Sequence, residues 1–168
     1  MKQGESAAPV ICVVGRSKVG KTTFLEKLIP ELKSRGYRVA TIKRHAHPGF
    51  DIDYPGKDTW RHAQAGSDHV IIAAPDKVAS IRRVPEEPGL DELLGTINDV
   101  DIILTEGYKR SSKPKIEVLR AALHRQPLCV PSELIALVSD FSAPFDVPFF
   151  ALDDAAGVVD LIEAEFFP

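Results

Sequence analysis

Residues 15–22 read GRSKVGKT and match the phosphate-binding pattern GxxxxGK[ST] in full. The match follows an apolar run and opens a helical pattern, which is the setting in which such a loop binds a nucleotide. Glycines in the loop let successive backbone N–H groups point at phosphate oxygens, and the helix N-terminus adds the positive end of its dipole. The lysine is predicted to reach the β- and γ-phosphates, and the threonine hydroxyl to bind Mg²⁺. The predicted nucleoside triphosphate site consists of Gly15, Arg16, Ser17, Lys18, Val19, Gly20, Lys21, Thr22 and Thr23.

A second part of such a site is an acidic residue at the end of a buried strand. The run VDIILTEG, residues 100–107, offers Asp101 and Glu106. A parallel sheet collects its ligands at the carboxyl ends of its strands, and Glu106 is at that end. We therefore assign Glu106 to Mg²⁺ or its bound water, and interpret Asp101 as a residue that precedes the strand.

The loop after the second strand pattern, residues 43–60, is rich in groups that bind ions. Loops on the ligand edge of a sheet commonly carry function. We predict that one carboxylate completes the Mg²⁺ shell, Asp53 first and Asp51 second. A transition-metal site and a solvated polar loop are the two alternatives. Under the magnesium interpretation, the neighbouring basic side chains face an anionic ligand: Lys43, Arg44, His45 and His47.

Asp140 follows the apolar run LIALVS. A carboxylate at this place can accept hydrogen bonds from N1–H and the 2-amino group of guanine, a donor pair that adenine lacks. Aspartate is also common in turns, so the alternative interpretation is a turn residue. Asp140 is thus a candidate for base recognition.

A run of cations follows Glu106 directly, in the segment GYKRSSKPK. Lys109, Arg110, Lys113 and Lys115 occur within seven residues. Such a run is usually a solvated surface, but its position predicts contact with a phosphorylated ligand or an acidic partner. Only Tyr108 adds an aromatic ring, which argues against nucleic acid.

The length, net charge and cysteine content of the chain fit one domain in a reducing compartment. The chain has 168 residues and a net charge of −3, so it is not a general nucleic-acid or membrane binder. Cys12 and Cys129 both lie in apolar runs and form no CxxC, which indicates buried free thiols. Residues 1–8 are interpreted as a flexible tail, and the first residues lack the apolar core of a signal peptide. Without a membrane-spanning run, the protein is expected in the cytoplasm.

The pattern of elements predicts an α/β fold. Continuous Val, Ile and Leu runs alternate with helical patterns, which indicates strands buried on both faces of a largely parallel sheet. The runs at 68–74 and 77–83 are joined by Pro75-Asp76 and predict one antiparallel hairpin. Gly36 is predicted to end the first helix. We expect residues 1–168 to form a single P-loop domain, a three-layer sandwich.

With these parts in place, the sequence resembles the MobB family of molybdopterin-guanine dinucleotide biosynthesis adaptor proteins over residues 9–165. The loop pattern alone is shared by many unrelated NTPases. The resemblance rests on the segments GRSKVGKTTFLEKLIPELKSRGYRVATIKRHAH, FDID, GKDTWRHAQAG and TEGYKR. The order and spacing of KRHAH, DID…GKDT…AG and TEGYK are more specific than the loop.

The resemblance implies a homodimeric GTP-binding protein with weak GTPase activity. It also implies a role in molybdenum cofactor maturation, assisting the guanylyltransferase that attaches GMP to molybdopterin. Many related dimeric P-loop proteins have a lysine after the first glycine of the loop, where this chain has Arg16. Whether Arg16 serves as a phosphate ligand across the dimer is therefore open.

Two other functions remain open, a small-molecule kinase or ligase and a non-catalytic nucleotide sensor. A kinase usually needs an arginine-rich lid, and Arg82-Arg83 precedes a Pro-rich turn rather than a helix. No residue is identified as the general base that orients water, so we expect at most slow hydrolysis.

Overall fold

The computed structural model describes residues 8–47, 49–142 and 145–168. The predicted tail lies almost entirely outside these residues. The chain divides into two compact units, one formed by Met1–Arg44 with Leu94–Pro168 and the other by His45–Leu93. We call them the sheet unit and the hairpin unit. The single-domain organisation stays a prediction.

The elements follow the predicted order closely. The sheet unit contains β1 (Val10–Val14), α1 (Lys21–Ser34), β2 (Val39–Lys43), β5 (Ile102–Glu106), β6 (Lys115–Leu119), β7 (Leu134–Ser139), β8 (Phe149–Ala151) and α4 (Ala155–Phe166). The hairpin unit contains α2 (Asp58–Gln64), β3 (His69–Ala74) and β4 (Lys77–Arg82), and the short α3 (Leu90–Leu94) lies at its boundary. A 3₁₀ turn, Pro131–Glu133, precedes β7.

The six strands of the sheet unit are all parallel, in the order β2-β5-β1-β6-β7-β8. The α/β class with a mostly parallel sheet is confirmed. Because the strands are parallel, their carboxyl ends meet at one edge, which we call the carboxyl edge. The central strands are buried almost throughout, as their continuous apolar runs predict.

One face of the sheet packs against the two long helices. Leu28 and Leu32 of α1 and Val158 of α4 are fully buried in a cluster with alternate residues of the strands, such as Ile11 and Val13. Burial of each such side chain stabilises the fold by about 1.5–3 kcal/mol. Gly36 ends α1 as predicted, with φ +93° and its N–H donated to the Lys33 carbonyl.

Loop segments lie against the opposite face. Cys12 Sγ is 3.3 Å from Ser111 Oγ, and the buried Glu117 carboxylate accepts hydrogen bonds from the backbone N–H groups of Leu128 (2.6 Å) and Cys129 (3.1 Å). Both cysteines are free and buried, which confirms that prediction. Burial raises the pKa of the Cys129 thiol to about 11.

The predicted antiparallel hairpin is confirmed, but its expected burial was wrong. Strands β3 and β4 pair with each other as a separate two-stranded sheet. Only Val70 is buried, while the side chains of Ile71 and Val78 are 58% and 68% exposed. The apolar runs indicated burial on both faces, but within this unit the ribbon has only α2 as a main packing neighbour. A ribbon with so little cover leaves its outer face in solvent.

Candidate functional site

The carboxyl edge brings residues from five neighbouring strands together. In spatial order, β2 ends at Lys43, β5 at Glu106 and β1 before Gly15. The next two strands, β6 and β7, are followed by Arg120 and Asp140. The parallel topology thus places the phosphate-loop pattern between an acidic group on one side and two further charged groups on the other.

The backbone of the phosphate loop requires its glycines. Gly15 has φ +140°, and a Cβ built there would lie only 2.5 Å from the Val118 carbonyl oxygen. Gly20 has φ +101° and stands directly before α1, where no side chain caps the helix. The first N–H groups of a 14-residue helix are therefore left to another acceptor. An anion is the acceptor that such a terminus favours.

Lys21 bends back over its own loop. Its Nζ donates hydrogen bonds to the carbonyl oxygens of Gly15 (3.1 Å) and Arg16 (2.8 Å). Burial lowers the pKa of Lys21 below its ordinary value, and the nearby Glu106 carboxylate offsets part of that effect. The ammonium group therefore lies over the concave backbone into which a phosphate chain would fit.

Glu106 is held between two side chains. Its Oε2 accepts a hydrogen bond from Thr22 Oγ1 at 2.9 Å, and its Oε1 is 2.7 Å from Lys43 Nζ. Burial raises the pKa of Glu106, but the hydrogen bonds from Lys43 and Thr22 outweigh it, so the net pKa lies below the ordinary value. The carboxylate is thus kept charged beside the threonine hydroxyl. Two hard oxygen donors next to a phosphate cradle fit Mg²⁺, which keeps several waters and needs few protein ligands.

Lys43, which we expected to face an anionic ligand, already has an acidic partner in the structure, and that expectation stays a prediction. Lys43 forms an ion pair with Glu106, its direct register partner on the neighbouring strand. The Lys43–Glu106 pair was missed because the sequence does not show that β2 lies beside β5. The only signal was that both residues end apolar runs.

Asp140 is exposed at the same edge, and one of its oxygens is already used. Oδ1 accepts a hydrogen bond at 2.8 Å from the backbone N–H of Ala121, in the loop after β6. Its role in base recognition stays a prediction.

The candidate ligands of the hairpin unit are described separately. Asp53 is half-buried and accepts a hydrogen bond from the Tyr54 N–H at 2.8 Å, whereas Asp51 is exposed. The His45 ring lies edge-on to those of His47 and Phe50. Over the residues that the structure describes, no group of three or more His, Cys, Asp or Glu side chains is gathered for a metal. The transition-metal alternative and the assignment of Asp53 to Mg²⁺ both stay predictions.

Fewer cations after Glu106 are exposed than the sequence predicted. Lys115 is only 1% exposed at the start of β6, and its Nζ donates to the Ser111 carbonyl (2.7 Å) and to Glu133 (3.3 Å). The interpretation of Lys115 as part of a surface patch was wrong, because the strand begins at this residue and carries it inside. Lys109 and Arg110 are exposed.

The family profile of MobB, described as "Molybdopterin guanine dinucleotide synthesis protein B", matches residues 10–140. The chain belongs to the MobB family. The molybdopterin-guanine dinucleotide biosynthesis adapter protein of Escherichia coli (strain K12) is 34% identical over 165 residues, which cover 95% of this chain and 94% of that protein. The adapter protein of Haemophilus influenzae is 35% identical over 162 residues, covering 92% and 88%.

Solved MobB structures share the fold. The crystal structure of a molybdopterin-guanine biosynthesis protein B is 31% identical, has a TM-score of 0.71, and covers 92% of this chain and 98% of that chain. The structure of Bacillus subtilis MobB is 26% identical with a TM-score of 0.72, covering 93% and 96%. These neighbours are P-loop NTPase-like, in agreement with the predicted fold class. None of the helices in the described ranges has the length and apolar composition needed to cross a membrane.

Proposed function

We propose that this MobB-family protein is a GTP-binding adapter in molybdopterin-guanine dinucleotide biosynthesis, where it assists the guanylyltransferase that attaches GMP to molybdopterin. The observation that carries the nucleotide part is the hydrogen bond between Thr22 and Glu106 beside a glycine-built loop covered by Lys21. Loop backbone and Lys21 would hold the phosphates, while Thr22 and Glu106 would hold Mg²⁺. The names of the relatives support the pathway and the adapter role.

The bound Mg²⁺ would supply charge neutralisation between the phosphates. The Thr22 hydroxyl and the Glu106 carboxylate would provide its oxygen ligands. Lys43 holds the Glu106 carboxylate through the oxygen that does not bond to the threonine. No residue has been assigned as a water-orienting base. We therefore propose slow GTP hydrolysis, below ~1 s⁻¹ for the isolated protein, compared with ~1–10³ s⁻¹ for dedicated enzymes.

The same proposal includes a homodimer in the cytoplasm. Two apolar side chains on one face of the hairpin support self-association: Ile71 and Val78 project on the same side, since Ala73, two residues from Ile71, is the register partner of Val78. Contiguous exposed apolar surface marks interaction sites. Free buried cysteines agree with a reducing compartment.

The adapter role is tested by nucleotide-dependent capture of a molybdopterin guanylyltransferase. Immobilised protein is loaded with GTP, GDP or no nucleotide in Mg²⁺, and the retained enzyme is quantified. We expect the column loaded with GTP to retain more enzyme than the others. A partner that prefers the GTP form must by linkage also tighten GTP binding. Capture that is independent of nucleotide contradicts a nucleotide-dependent adapter mechanism.

Lys109 and Arg110 offer a sharper version of this test. Both are exposed directly after the site, so reversing them to glutamate is expected to weaken capture about tenfold while changing GTP affinity less than about twofold. Lys27→Glu with Lys33→Glu, two exposed residues of α1, changes the net charge equally and serves as the control.

A further inference from the structure

Arg120, the first residue after β6, contacts the phosphate loop. Its Nε donates a hydrogen bond to the Val19 carbonyl oxygen at 2.9 Å. The guanidinium also lies close against Gly20, since a Cβ built on that glycine would be 3.2 Å from Nη2 and 3.4 Å from Nε. None of the sequence patterns pointed to this arginine, which is 101 residues from Val19.

The contact fixes the orientation of one peptide group. In a trans peptide, the carbonyl of one residue and the N–H of the next point in opposite directions. A Val19 carbonyl held by Arg120 therefore aims the Gly20 N–H the other way. Gly20 has no Cβ and adopts φ +101°, a value that few other residues reach. The peptide before such a residue would rotate easily without a hydrogen-bond partner.

The loop that carries Arg120 is itself fastened on both sides. The N–H of the next residue, Ala121, donates to Asp140 Oδ1 at 2.8 Å, and the His124 N–H donates to the Arg120 carbonyl at 2.8 Å. Further along, the buried Glu117 carboxylate holds the N–H groups of Leu128 and Cys129. These bonds fix the backbone from which the Arg120 side chain reaches Val19.

We propose that Arg120 is a positioning residue of the nucleotide site, which orients the Gly20 N–H toward the phosphates without touching them. This inference rests on the proposed function, because it names how that same phosphate site is held in shape. Two tasks are thus divided at the carboxyl edge. Lys21 and the backbone N–H groups bind phosphate, and Arg120 fixes the direction of one of these N–H groups, that of Gly20. Preorganised donors bind more tightly because they lose less entropy on binding.

The test compares phosphate binding with base binding in three variants. Calorimetric titration measures the affinities of GTP, inorganic tripolyphosphate and guanosine for Arg120→Met, which keeps an unbranched side chain but cannot donate. Arg120→Lys retains a charged group that can donate a hydrogen bond and should recover part of the loss. Arg38→Met is the matched control, because it removes another guanidinium group, one that pairs with Asp101 at the amino ends of the strands.

For Arg120→Met we expect about tenfold weaker binding of GTP and tripolyphosphate, with an intermediate loss for Arg120→Lys. Guanosine affinity and the affinities of Arg38→Met should stay within about twofold of wild type. A merely structural role would weaken all three ligands in parallel, and that result would overturn the inference. Unchanged tripolyphosphate binding would overturn it as well.

A second measurement needs no nucleotide. The Phe24 N–H donates to the Gly20 carbonyl at 2.8 Å, so its hydrogen exchange in the free protein reports on the junction between loop and helix. Arg120→Met should accelerate this exchange about tenfold relative to Arg38→Met. If wild-type protein binds neither GTP nor tripolyphosphate, the proposed function fails, while accelerated Phe24 exchange still shows that Arg120 holds the loop. Unchanged exchange contradicts the inference.

Discussion

The carboxyl edge of the sheet unit and the outer face of the hairpin unit differ in how their side chains are held. At the carboxyl edge, Glu106 has partners on two sides and Lys21 is bound to its own loop. On the hairpin, Ile71 and Val78 are largely exposed. A small, highly charged ligand needs donors that are already in place. A protein partner needs apolar area that its own chain leaves uncovered, so the two regions suit different kinds of ligand.

Lys21→Ala should show the largest effect and should be confined to the carboxyl edge. Removing the ammonium group is expected to weaken GTP binding at least about 100-fold, because it takes away a charge-assisted contact to the phosphates. The fold should persist, since the two acceptors of the Lys21 ammonium group are backbone carbonyls of the same loop. Calorimetry measures the affinity and circular dichroism the fold.

Lys27→Ala is the control for this variant. Lys27 lies on the same helix, and its Nζ bonds the Leu152 carbonyl rather than the phosphate loop. Wild-type GTP affinity in a folded Lys21→Ala protein would refute the assignment of the phosphate loop.

Asp140→Asn tests the base side of the same edge. The asparagine carbonyl can still accept from the Ala121 N–H, while its NH₂ replaces the second oxygen by a donor. Guanine also presents donors, so GTP should weaken about 30-fold relative to XTP, whose base carries a carbonyl in place of the amino group. Competition titrations with GTP, XTP and ATP give the ratios. An unchanged GTP:XTP ratio would place base recognition elsewhere.

The sequence predicted the elements of this fold well because local patterns determine them. The apolar run of β5, the cap at Gly36 and the Pro75-Asp76 turn are each contained within a few residues. Burial was less predictable. The runs of β3 and of β5 look alike, but only β5 has strands on both sides of it.

The candidate site shows the same division. Lys21 and Thr22 were predicted from one short pattern, and Glu106 from its place at the end of a strand. The ion pair of Glu106 with Lys43 and the bond of Arg120 to Val19 were not predictable, because each depends on which strands are neighbours. Positions distant in sequence and linked only by tertiary structure leave no local pattern.

Ile71→Lys tests the hairpin side of the comparison. A charge on the outer face should weaken the proposed dimer at least tenfold, because burying an unpaired ammonium group is costly. Sedimentation velocity over a range of protein concentrations measures the change. Asp76→Lys in the turn between the strands introduces a lysine outside the outer face and should leave association unchanged.

The Ile71→Lys variant also shows whether the two regions work independently. GTP affinity per subunit should stay within about twofold of wild type. A larger loss would mean that association completes the nucleotide site, as expected if Arg16 acts across the dimer. A monomeric wild-type protein would contradict the dimer proposal itself.

Glu106→Gln and Asp53→Asn compare one acid from each region. Gln keeps an acceptor for Thr22 but loses the charge that pairs with Lys43. The gain in GTP affinity on adding Mg²⁺ should fall about tenfold for Glu106→Gln and no more than about threefold for Asp53→Asn. Titrations with Mg²⁺ and with EDTA give both values. The reverse ranking would assign the principal metal ligand to the hairpin unit.

The smallest effect is expected at the other end of the strands, where Asp101 pairs with Arg38. The Asp101 carboxylate accepts from Arg38 Nη2 at 2.8 Å, Nε at 3.1 Å and the backbone N–H at 2.6 Å. These hydrogen bonds from Arg38 lower the pKa of Asp101 from its ordinary 3.8 to about 2. The group is more acidic in the folded state, so its stabilisation is complete above about pH 4 and is lost as the pH falls toward 2. Asp101→Asn should therefore lower Tm by about 1–3 °C at pH 7, the effect of a solvent-exposed ion pair. The difference between variant and wild type should shrink below pH 4, as measured by thermal scans at a series of pH values.

Magnesium-dependent GTP binding should not change in Asp101→Asn, because Asp101 lies at the amino end of β5 and Glu106 at its carboxyl end. If Asp101→Asn instead removes the Mg²⁺ dependence, the acid chosen at the carboxyl end of β5 is the wrong one.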